Sequence, residues 1–159
     1  MGRYTSISND IWSDKEFKKL SPVGKNVYLF VLTNPQGNQS GIYRLPMDLV
    51  EFYLGEEGVN ELKKENKLYR YDAENEILFI PTYLKYNAVK SHPQLKAMAR
   101  SIASLPYCEL LVDFCESLAK YSGDESLKYL PDSVKAYVSR KAKQENRDML
   151  FLKMLDSAY

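Results

Sequence analysis

Residues 41–55, GIYRLPMDLVEFYLG, constrain this chain more than any other stretch. A short apolar run, Ile42 to Leu45, stops at Pro46. Apolar residues then restart at helical spacing with Met47, Leu49, Val50 and Tyr53. Proline fixes its own φ and gives up an N–H, so it ends a strand cleanly and is tolerated in the first turn of a helix. The stretch therefore predicts one very short strand followed at once by a helix.

The surroundings give that strand partners. Upstream, Ser13 followed by Glu16 has the spacing of a capping box and predicts a short helix through Phe17 and Leu20. Ser21-Pro22 opens a second helix, apolar over most of its face through Val23, Val27, Tyr28, Phe30, Val31 and Leu32. Downstream, LGEEG interrupts the helix after Tyr53, and VNELKKENK resumes the spacing through Val59 and Leu62. The runs Leu68 to Tyr71 and Ile77 to Ile80 flank the polar connection DAENE and read as a hairpin. A two-stranded hairpin is marginal alone, and the strand at Ile42 adds a third member.

This order (helix, helix, strand, helix, helix, hairpin) predicts a mainly α chain with a small β-hairpin wing: a winged helix-turn-helix over residues 1–90. Residues 91–159 form a helical C-terminal extension. There Leu95, Met98, Ala99 and Ile102 share one helical face, as do Leu111, Phe114, Cys115 and Leu118. A last helical stretch, about 132–156, ends in MLFLKML. Met149, Leu150, Phe151, Leu152, Met154 and Leu155 cover more than one face, so this end is expected against the core or in an interface. Trp12, just before the first helix, is expected as a buried anchor.

Other classes find little support. No run of about 18 apolar residues exists, so no membrane span is expected. The polar start, MGRYTSISND, lacks an apolar signal core and predicts a cytoplasmic protein. Cys108 and Cys115 stand seven apart, about 10.5 Å along a helix axis, too far to pair there. They read as small buried apolar groups. The one histidine, His92, has no metal-ligating neighbour in sequence. No phosphate loop, nucleophile elbow, metal-binding helix or dinucleotide fingerprint occurs, so binding is expected, without catalysis, metal or cofactor.

Several spaced motifs resemble the N-terminal domain of phage replisome organisers, the DnaD-like replication initiation proteins. They are Ile11-Trp12 before a short helix, Leu20-Ser21-Pro22 opening the next, Leu32 to Pro35 (LTNP), Gly41 to Arg44 (GIYR), Phe79 to Asn87 (FIPTYLKYN) and Leu105-Pro106 before a helix. The resemblance spans about residues 3–120. It implies a winged helix domain that binds phage origin DNA and helps to recruit the replicative helicase.

Contacts to double-stranded DNA are expected from three places. Asn60 in the recognition segment could pair with adenine, with Lys63, Lys64 and Lys67 on phosphates. Arg70, between Tyr69 and Tyr71 on the hairpin, and Lys85 after it come second. Arg140, Lys141, Lys143 and Arg147 form the densest basic run, and on a single helix 140, 143 and 147 share a face. Charge tempers this picture. The net charge is +1, and residues 1–90 hold 12 Lys plus Arg against 12 Asp plus Glu. Two alternatives follow: a transcription regulator on the same fold, and a phage protein-interaction module that binds a host replication or defence factor. A homodimer through the C-terminal helix is also expected.

Overall fold

In the computed structural model, which describes residues 4–158, the chain opens with a 3-10 turn, Asn9–Ser13. Helices α1 (Lys15–Lys19) and α2 (Pro22–Thr33) follow. The cap of α1 falls one residue later than the spacing predicts. Asp14, not Ser13, accepts from the Phe17 N–H at 2.8 Å, because Ser13 is taken up in the 3-10 turn. Ser21 caps α2 as expected, accepting from the Gly24 N–H at 3.0 Å.

Strand β1 is Ile42–Arg44, and α3 runs Met47–Leu62. Gly55 splits α3 with φ 70 and ψ −176, a backbone region open essentially to glycine alone. The expected interruption is therefore a sharp break between two half-helices. Strands β2 (Arg70–Asp72) and β3 (Ile77–Phe79) complete a three-stranded antiparallel sheet in the order β1-β3-β2. Tyr43 and Tyr71 both face Leu78 in the register. The first hairpin strand starts later than predicted. Asn66 Oδ1 accepts from the N–H groups of Leu68 and Tyr69 at 2.8 and 2.9 Å, a side-chain turn that keeps both off the ladder.

The hairpin turn serves α3 directly. Pro46 supplies no side-chain cap, and Glu76 Oε2 accepts from the Met47 N–H at 2.6 Å instead. The Glu76 carbonyl also accepts from the Leu45 N–H at 2.8 Å. To make both contacts Glu76 sits at φ 55, in the left-handed region.

The remaining helices are α4 (Tyr83–Tyr86), α5 (His92–Ala103), α6 (Glu109–Ser122), α7 (Asp132–Gln144) and α8 (Met149–Ser157), with a 3-10 turn at Asp124–Tyr129. Buried residues lie on both sides of position 90, from Leu84 and Val89 to Leu95 and Met98, in one apolar core. α6 lies against β3: the Phe79 and Phe114 rings meet edge to face at 6.5 Å, and Ser117 Oγ donates to the Pro81 carbonyl at 3.0 Å. Gly41, at φ 77, packs so closely on Tyr83 that an added Cβ would stand 2.5 Å from the Tyr83 Cβ.

Two expectations about apolar residues change. Trp12 is 65% exposed rather than buried. It rides on the outside of the first turn and lays its ring edge-on to Phe17 at 5.3 Å, and Phe17 is the residue that enters the core. In α8, Phe151 and Leu155 are buried one turn apart, while Met149 and Leu150 point outward. Cys108 and Cys115 are both buried and unpaired. No helix of the described residues is long and apolar enough to cross a membrane.

Candidate nucleic-acid interface

The C-terminal end of α3, the hairpin, the start of α6 and α7 enclose a cleft of about 360 Å³. Lys63, Lys64 and Arg70 line it, with Asn75 at the hairpin turn and Tyr137 from α7. Tyr137 stacks on Tyr107 with ring centroids 4.9 Å apart and planes 13° from parallel. The Arg140 guanidinium lies over Tyr137 at 5.7 Å from its centroid. Lys63, Lys64 and Arg140 are exposed, so cations more than 70 residues apart in the sequence stand on one cleft and its rim. Glu65, Asp72 and Glu109 line the same cleft and offset part of the field.

The other expected contacts are divided between exposure and internal pairing. Lys64 holds Glu61 at 2.8 Å, and Glu61 also accepts from Ser21 Oγ at 3.4 Å, tying the end of α3 to the start of α2. Lys67 stands 3.9 Å from Glu16, and Lys143 3.3 Å from Asp156. Lys85 is exposed and lies over the ring of its neighbour Tyr86 at 5.2 Å. Lys141 is half-buried, one turn on from Tyr137. Asn60 is exposed on a helix that holds Asp48, Glu51, Glu56, Glu57 and Glu61 and neither lysine nor arginine.

The two remaining arginines are engaged by carboxylates. Arg70 pairs with Asp113 of α6. Arg147 donates to Asp113 at 2.7 Å, to Glu116 at 2.7 Å and to Glu145 at 2.7 Å. Burial opposes the charge on Arg147, and the hydrogen-bonded carboxylates outweigh it, so the group is held above its ordinary range. The expected common face of Arg140, Lys143 and Arg147 does not form. α7 ends in a Schellman motif. Asn146 takes φ 51, its N–H donates to the Lys143 carbonyl at 3.3 Å, and the Arg147 N–H reaches back to Ala142 at 3.0 Å. The left-handed residue turns the chain out of the helix and aims Arg147 at α6.

Sequence reasoning missed Tyr107, Tyr137 and Asp113. Tyr137 stands three residues before Arg140 on one helix, a spacing that brings aromatic and cation together and could have been noticed. Asp113 carries no such local signal. Burial pushes the thiols of Cys108 and Cys115 above the usual thiol range, so neither is poised as a nucleophile.

Comparison with protein-family models, with curated proteins and with solved structures finds no match to the chain.

Proposed function

We propose that the chain is a winged helix-turn-helix protein that binds double-stranded DNA in phage replication initiation. The element order and the β1-β3-β2 sheet support the fold. The two halves of α3 about Gly55 are its helix-turn-helix and the β2–β3 hairpin its wing. The resemblance of Ile11-Trp12, LSP, LTNP, GIYR and FIPTYLKYN to phage replisome organisers supports the replication role.

The observation that carries the DNA reading is the cleft where Lys63 and Lys64 meet Tyr137, with Arg140 over its ring. Phosphate oxygens take lysine and arginine donors on an exposed rim without the cost of burying them. α3 itself holds five carboxylates, two before Gly55 and three after it, and no cation, so the helix repels a phosphate backbone along its length. The duplex is therefore held at the C-terminal end of α3 and on α7, with Asn60 the one side chain of α3 offered to a base edge. Arg70 and Arg147 hold the protein together instead of the DNA.

The test is an electrophoretic shift with duplex fragments from the protein's own genome segment, at low and at physiological salt. Binding that weakens steeply with salt supports the proposal. No shift at low salt with any duplex overturns it.

A further inference from the structure

The outer side of α3 is an aromatic face that nothing among the described residues covers. Phe52 is 80% exposed and Tyr53 53% exposed. Their rings meet edge to face with centroids 5.0 Å apart, and Tyr53 reaches Phe30 of α2 at 5.7 Å. The three rings form a ridge that leads from the helix pair out into solvent. Single exposed apolar residues are ordinary, but a ridge of aromatic rings with one in full solvent marks a contact surface.

Charge says what kind of contact. Asp48 and Glu51 share the half-helix that carries Phe52 and Tyr53, Glu56 and Glu57 open the half-helix after Gly55, and all four are exposed. None makes an ion pair among the described residues, although Glu61 on the same helix does. Helix starts favour Asp48 at one half-helix and Glu56 and Glu57 at the other. That preference explains neither Glu51 in mid-helix nor the exposure of Phe52. Uncompensated carboxylates on the helix that carries the aromatic anchors repel nucleic acid and attract a surface that is both apolar and cationic.

We infer that this face docks a cationic amphipathic helix of a partner protein. The rings of Phe52 and Tyr53 enter its apolar stripe, and lysines or arginines on either side of that stripe meet the four carboxylates. Aromatic rings add direct attraction for the partner's cations. The inference does not depend on DNA binding, which uses Lys63, Lys64 and Arg140. Taken with that reading, it makes the chain an adaptor that grips DNA at one end of α3 and a protein at the other.

The probe is a synthetic leucine-lysine peptide of about 18 residues with its leucines at helical spacing. A scrambled peptide of identical composition is the control. Fluorescence anisotropy with the full chain should show the patterned peptide binding about tenfold tighter than the scrambled one. Phe52→Ala should weaken it about tenfold, with the melting temperature unchanged because the side chain stands in solvent. The pair Glu51→Lys and Glu56→Lys tests the same face without apolar loss, and should also flatten the salt dependence. Equal binding of both peptides, or Phe52→Ala within about twofold of the unaltered chain, overturns the inference. So does sedimentation showing a dimer that Phe52→Ala dissolves, since a second copy then covers the face.

Discussion

Arg147 Nη1 stands 2.7 Å from Asp113 Oδ1, and Arg70 pairs with the other oxygen of the same carboxylate. One acidic residue of α6 thereby joins the hairpin to the turn between α7 and α8. The Arg147 side chain is only 22% exposed, so its loss leaves Glu116 and Glu145 without a counter-charge and Asp113 with Arg70 alone. Arg147→Ala should cost about 2 kcal/mol of stability, in the range of hydrogen bonds to charged groups. Urea unfolding measures this. The salt dependence of DNA binding by the folded variant should match that of the unaltered chain.

Tyr69 is fully buried, and its hydroxyl has the Asn66 side chain beside it but no hydrogen bond of good geometry. Burial first, and the charge of Glu61 second, push it up to about 12. Its unfolded value is about 10, so the native state binds the proton more tightly. The associated stability is fully present below pH 10 and is lost as pH rises toward 12. Tyr69→Phe removes no well-formed hydrogen bond and should leave stability at neutral pH unchanged or slightly raised. The drop in urea midpoint between neutral and strongly alkaline pH should be smaller in the variant.

Glu76 combines an unfavourable backbone with a useful carboxylate. Glu76→Gly loses the 2.6 Å contact to the Met47 N–H but relaxes the φ of 55. Glu76→Ala loses the contact and keeps the strain. Alanine should therefore be the worse replacement by about 1 kcal/mol, with both variants below the unaltered chain. Thermal melts of the three proteins give the order directly.

Trp12 and Phe17 share a ring contact but not a role. Trp12→Ala should cost only about 1 kcal/mol, the value of an aromatic pair. Phe17→Ala should cost about 3 to 5 kcal/mol, because it empties a core site. Equal losses in chemical unfolding would put Trp12 in the core after all.

What the sequence shows and what it hides divide by range. Pro46 and Gly55 act on their own backbone, so the strand end and the break in α3 were readable from single residues. The Ser21 cap and the apolar run Ile77 to Ile80 are local too. Asp113 is different. It lies 43 residues from Arg70 and 34 from Arg147, and the packing of α6 on β3 and of α7 on α6 brings the three together. A basic run on paper thus became part internal brace and part exposed rim. Trp12 went astray because the residues before the cap fold into the 3-10 turn Asn9–Ser13, on whose outer side its ring lies against Phe17.

The central claim is that Lys63, Lys64 and Arg140, and neither Arg70 nor Arg147, hold duplex DNA. Its most direct test is the slope of log affinity against log salt for the unaltered chain, for the triple change Lys63→Ala, Lys64→Ala, Arg140→Ala, and for Arg147→Ala. The triple variant should lose about 0.9 of slope for each phosphate contact removed, and Arg147→Ala should lose none. An unchanged slope in the triple variant, or a reduced one in folded Arg147→Ala, would contradict it.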